Sequence, residues 1–179
     1  FAYNNQIPGP ELRVELGETV RVNFQNNLPQ STTIHWHGVR VPNAMDGVPG
    51  VTQDPVAPGD SFQYEFTPKD AGTFWFHPHV RVSEQVERGL YGVLIVEDPN
   101  EPDYSQDVVW VVDDWRITST GGLDERFNSR HDLAHDGRWG NVITVNGSIN
   151  EQLHVQPGDR IRLRMVNTSN GRVYSPQFD

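Results

Sequence analysis

Between Leu12 and Asp113 the chain returns six times to a short β-forming run. These are LRVEL at 12–16, TVRVNFQN at 19–26, SFQYEFT at 61–67, TFWFH at 73–77, LYGVLIVE at 90–97 and DVVWVVD at 107–113, separated by Gly, Pro, Asn and Asp. Runs of this length and spacing predict an all-β chain whose strands fold over one another as a β-sandwich. Because side chains alternate across a strand, Val20, Val22 and Phe24 share one face of the second run, and Phe62, Tyr64 and Phe66 one face of the third. Those faces are expected to meet in the core.

Two polar loops interrupt the series, at 38–60 and 115–140, and strands resume after the second, which makes it the expected linker. A repeat supports a boundary there. LRVELGETVRVNFQN at 12–26 aligns without gaps to LHVQPGDRIRLRMVN at 153–167, so that Leu12, Val14, Gly17 and Asn26 meet Leu153, Val155, Gly158 and Asn167. We therefore expect a first domain over 1–140 and the beginning of a second over 141–179. In the second copy the positions equivalent to 35–37 are Pro176, Gln177 and Phe178. They offer no metal ligand, and this copy is expected to act as spacer or scaffold. The chain opens at FAYNNQIPGPE without an initiator Met or a signal-peptide pattern and stops at YSPQFD, so both ends are expected to be cut rather than native.

A net charge of −10 leaves no basic stripe to neutralise phosphates, which argues against nucleic acid as a partner. No window approaches the roughly 18 consecutive apolar residues of a membrane span. The chain contains no cysteine, hence no disulfide and no thiolate ligand.

Chemistry concentrates in the histidines. HWH places His35 and His37 two residues apart in a strand, on one face, with Cα atoms roughly 6.6 Å apart. With metal–nitrogen bonds of about 2 Å, such a pair could converge on one ion or serve two ions roughly 3.5–4 Å apart. HPH repeats the arrangement with His77 and His79, and the intervening Pro78 lacks the N–H of a central ladder, so a strand end or edge is expected. Four neutral imidazoles without a thiolate suit copper, zinc, iron or nickel, with copper favoured by the general affinity order. HDLAH at 131–135 has the histidine spacing of a helical zinc-protease motif with Asp in place of Glu. It lies in a Gly/Asp/Arg-rich stretch expected to be loop, which argues against a protease. His154 is expected to be a solvent-facing strand residue, and Trp36 and Trp75 to be packing residues.

Taken together, HWHG, DGVPGVTQDPVAPGDSFQYEF, GTFWFHPHV and GLYGVLIVED, in this order and spacing, resemble the first domain of multicopper oxidases of the laccase-like type. The resemblance covers nearly the whole chain. It implies a cupredoxin-like Greek-key β-sandwich, followed by the start of a second, that contributes half the ligands of a trinuclear copper cluster reducing dioxygen to water. By match to the family pattern, His35 would bind the type 2 copper, His37 and His77 one type 3 copper, and His79 the other. Asp46 in MDG matches an acidic residue that helps supply protons in bacterial relatives. The type 1 copper, which takes one electron at a time from a phenolic or other reducing small molecule or metal ion, is implied to lie outside this chain. So are the remaining cluster ligands, from a C-terminal cupredoxin domain or another chain. A periplasmic or secreted location follows from the family alone.

Three other readings compete. A copper nitrite reductase would carry a cysteine in its first domain, which this chain lacks. A copper-free structural relative would typically have lost the cluster histidines, and all four stand. A cuprous-ion oxidase would be marked by a methionine-rich insert in a region this chain does not include, and its two methionines do not decide the matter.

Overall fold

A computed structural model of the chain describes residues 1–177; Phe178, the last of the three positions matched to 35–37, lies outside them. The chain forms two compact units, Phe1–Pro102 and Asp103–Asp179.

The first unit is built from two sheets. One has four strands in the order β1 (Leu12–Glu15), β6 (Gly92–Glu97), β5 (Gly72–His77) and β3 (His35–His37). The other pairs β2 (Val20–Gln25) antiparallel with β4 (Ser61–Phe66). β1, β2, β4 and β6 fall within the runs named above, β5 begins one residue before its run, at Gly72, and β3 is the HWH segment itself. β6 is flanked on both sides, by β1 in parallel and β5 antiparallel, and Gly92 through Val96 are buried. Such burial explains why its sequence is a continuous apolar run rather than an alternating one.

The core lies between the sheets. Val20, Tyr64 and Phe66 from the two-stranded sheet meet Trp36, Phe76, Leu94 and Val96 from the four-stranded one. Trp36, 1% exposed, is the centre: its ring lies 4.8 Å from that of Phe66, 5.5 Å from Phe76 and 5.7 Å from Tyr64. Tyr64 also has a polar task, because its hydroxyl accepts the Ile34 N–H at 2.8 Å, one residue before β3 begins. Burial pushes the Tyr64 phenol up to about 12, so it stays neutral. Tyr64→Phe would leave that buried N–H without a partner. We expect a loss of about 1–3 kcal/mol of stability, read as a lower denaturant midpoint at unchanged slope; an unchanged midpoint would show that the bond contributes nothing.

The second unit centres on β7 (Gln106–Trp115), between β8 (Val142–Val145), antiparallel, and β9 (Ile161–Asn167), parallel. Residue 140, the expected domain boundary, falls inside this unit, because β7, which precedes it, forms ladders with β8 and β9, which both follow it. The repeat is visible at its turn. Glu18 N–H donates to Glu15 O at 3.0 Å and the Glu15 N–H to the Glu18 carboxylate at 3.1 Å; in the second copy Asp159 N–H donates to Gln156 O at 3.0 Å and the Gln156 N–H to the Asp159 carboxylate at 2.8 Å. After that turn the copies diverge: β2 pairs antiparallel with β4, whereas β9 pairs in parallel with β7. His154 is exposed but stands outside any strand.

One expectation is corrected. HDLAH is not loop: α2 spans Arg130–Ala134, with Ser129 as its N-cap accepting the Asp132 N–H at 3.1 Å. The cap and the Asp132 carboxylate, gripped by both terminal nitrogens of Arg116 at 2.9 Å, hold one turn of helix without an apolar stripe. A helix of that kind has no amphipathic periodicity to mark it in the sequence.

Candidate metal centre

Strand register assembles the site. β3 pairs antiparallel with β5 so that His35 stands opposite His77, Trp36 opposite Phe76, and His37 opposite Trp75. Trp36 and Phe76 point into the core, so alternation turns His35, His37, His77 and Trp75 onto the other face. β5 ends at His77, as Pro78 requires, and His79 follows immediately outside the sheet.

The rings crowd together. Centroids are 5.5 Å apart for His35 and His37, 5.4 Å for His35 and His77, 5.4 Å for His37 and His77, 4.6 Å for His35 and His79, and 5.6 Å for His77 and His79. One nitrogen from each of His35, His37 and His77 lies within 4.8 Å of the other two. His79 abuts this triad without belonging to it.

Hydrogen bonds decide which nitrogens are free. His35 Nδ1 lies 2.8 Å from the Asp46 carbonyl and His77 Nδ1 2.9 Å from the Pro78 carbonyl. A carbonyl only accepts, so both Nδ1 atoms carry the proton and each Nε2 keeps its lone pair for a metal. His37 behaves differently: its Nδ1 faces His77 Nε2 at 3.2 Å. Two nitrogens at that separation can both reach one ion with bonds of about 2.0–2.1 Å.

Trp75 backs the pair, stacked on His77 at 4.2 Å and tilted against His37 at 5.1 Å. Electrostatics agree with the geometry. Burial lowers the His77 imidazole to about 4, with the Pro78 bond opposing the shift and His35, His37 and His79 adding to it. Burial, and then the neighbouring His35, also lower His37 and His79. Neutral imidazoles are the form that binds metal. The donor set fits a borderline transition-metal ion.

Asp46 follows a short 3-10 turn, Asn43–Met45, and turns back on His35. Its carbonyl accepts the bond just described and its carboxylate Oδ1 lies 3.3 Å from the same Nδ1. Gly47, the glycine of MDG, makes this approach possible. It is buried with φ of +74°, and a Cβ there would fall 2.0 Å from the Ile34 carbonyl oxygen. Thr33 and Gln85, both fully buried beside the histidine segments, belong to no motif that would mark them in the sequence.

The other histidine pair belongs to the second unit. His131 and His135 lie in ring contact at 4.4 Å, both exposed, and the adjacent Asp132 is committed to Arg116. Two exposed donors fall short of the set assembled on β3 and β5.

Known proteins carry the same arrangement of sequence. Residues 1–101 match the sequence model of the family described as multicopper oxidase. Laccase-2 of Cryptococcus neoformans var. grubii is 36% identical over 205 aligned positions, covering 100% of this chain and 34% of the laccase. The crystal structure of a multi-copper oxidase from Pseudomonas thermotolerans superposes with a TM-score of 0.90 at 41% identity, over 94% of this chain and 41% of that one. A blue copper oxidase from Nitrosomonas europaea superposes with a TM-score of 0.79 at 36% identity, over 94% of this chain and 54% of that one. The chain spans about a third of the length of the curated laccases it matches. With its cupredoxin-like all-β fold and a cluster of histidines suited to copper, the chain belongs to the multicopper oxidase family.

Proposed function

We propose that this chain supplies four imidazoles, from His35, His37, His77 and His79, to a trinuclear copper cluster of a laccase-like oxidase. The observation that carries the reading is the convergence of His37 Nδ1 and His77 Nε2 at 3.2 Å, with His35 completing a triad within 4.8 Å. On this reading His37 and His77 serve one type 3 copper, His35 the type 2 copper, and His79 the other type 3 copper. Copper held by these four histidines would supply one-electron transfer from a phenolic or metal-ion substrate to dioxygen, giving water.

This chain's residues set the conditions for that chemistry. The Asp46 and Pro78 carbonyls fix the proton on Nδ1 of His35 and His77, so neither ring needs to rotate or change tautomer on binding. Trp75 holds His37 and His77 from one side. The Asp46 carboxylate, half-buried beside His35, is placed to hold or hand on a proton. Further ligands, a thiolate included, come from outside this chain, which has no cysteine. Among the described residues no helix is long and apolar enough to cross a membrane, and the family resemblance favours a periplasmic or secreted protein.

The test uses the complete protein. Copper-loaded, it should consume dioxygen in the presence of a phenolic reductant, lose that uptake on chelation and recover it on return of copper. A protein that folds but retains no copper would defeat the proposal and favour a structural role.

A further inference from the structure

We propose that Thr33 is a positioning residue for His79, part of a buried polar strap that holds the HPH segment against the segment leading into HWH. The inference rests on the reading of His79 as a copper ligand. His79 has no ladder to hold it. β5 ends at His77, Pro78 offers no N–H, and the next element, α1 (Val82–Gln85), begins three residues later. Among the described residues the bond that fixes the His79 main chain crosses 46 positions: its N–H donates to the Thr33 hydroxyl at 3.1 Å.

Thr33 can act as a fixed point because the chain around it is itself pinned. Thr32 exchanges both main-chain hydrogen bonds with Val56, at 3.1 and 2.9 Å. Its hydroxyl donates to Gln85 Oε1 at 2.8 Å, and Gln85 Nε2 donates to the Ser31 carbonyl at 2.9 Å. On the other side the Ile34 N–H is held by Tyr64. Thr32, Thr33 and Gln85 are each 0% exposed. Water cannot readily substitute for these bonds, and a satisfied network of this kind allows one arrangement rather than several.

The consequence is directional. His79 lies 4.6 Å from His35 across the site. A swing of its main chain about Pro78 would carry the ring away from the other three, and Thr33 and Gln85 restrain that swing from its two ends. The geometry is that of an outer partner of a ligand, acting on the main chain rather than on the ring. Loss of such partners typically lowers metal affinity by about 10–100-fold.

Thr33→Val keeps the β-branched shape and removes the acceptor, whereas Thr33→Ser keeps the hydroxyl. In the complete protein, copper retained against a graded chelator should fall by about 10–100-fold in affinity for Thr33→Val and recover most of that loss for Thr33→Ser. Equal retention in Thr33→Val and wild type, or equal loss in both variants, overturns the proposal. His79→Ala separates the two claims. If it keeps its full copper complement, the ligand reading has failed; if it loses copper while Thr33→Val does not, only the positioning role has. Should Thr33→Val not fold, hydrogen–deuterium exchange of the wild-type peptide containing His79 decides: its amide is expected to be protected, and rapid exchange sinks the strap.

Discussion

His37→Ala in the complete enzyme is expected to abolish dioxygen reduction while leaving both the fold and the first oxidation of substrate intact. Its ring is exposed, so truncation opens no core cavity and should shift stability by no more than about 0.5 kcal/mol. His77 would be a poorer choice, because it is buried and stacked on Trp75, and its removal would mix folding with function. Removing a hydrogen-bond partner behind a ligand costs about 10–100-fold, and a direct ligand should cost more, so steady-state oxygen uptake should fall by over about a hundredfold. Substrate should still bleach the type 1 absorption under anaerobic conditions, since on the proposed reading that copper lies outside this chain. Two measurements check the pair of claims: oxygen consumption and anaerobic bleaching. Wild-type turnover in His37→Ala would remove this histidine from the centre.

The strands of the first unit were legible because each obeys a local rule. Val20 and Tyr64 alternate with polar neighbours on half-buried strands, and β6 reads as a continuous apolar run because it is covered on both sides. The histidine pairs were legible for the same reason, since an i, i+2 spacing in a strand fixes a shared face. What joined the two pairs was not. The His35–His77 register depends on pairing across 42 positions, and no residue of either segment announces it. The proton positions were equally hidden, because main-chain carbonyls of Asp46 and Pro78 set them, and any residue could supply such a carbonyl. Thr33 and Gln85 carry ordinary side chains, and only burial at long range gives them a role. In the second unit the ladders of β7 with both β8 and β9 join strands on either side of residue 140. A boundary read from a polar loop and a sequence repeat is blind to such pairing.

Gly47→Ala is expected to be the most damaging single-methyl change in the first unit. Two separate costs coincide there. The backbone sits at φ +74°, where an L side chain is strained by about 1–3 kcal/mol. The added Cβ would also meet the Ile34 carbonyl at 2.0 Å and the His35 nitrogen at 2.9 Å, and overpacking against main chain costs about 1–3 kcal/mol more. The sum, about 2–6 kcal/mol, is a large share of the 5–15 kcal/mol that holds a typical domain together. Relief would have to come from moving either the Asp46–Gly47 turn or the start of β3. Both movements pull the Asp46 carbonyl off His35 Nδ1, so any folded Gly47→Ala protein should also bind copper more weakly. Gly59→Ala is the control: φ is +89° there but nothing lies within 4 Å of the added Cβ, so only the conformational cost applies. Denaturant midpoints for the two variants should differ clearly, with Gly59→Ala close to wild type in copper content. Equal midpoints would mean that the contact with Ile34 carries no weight and that the turn beside His35 is free to relax.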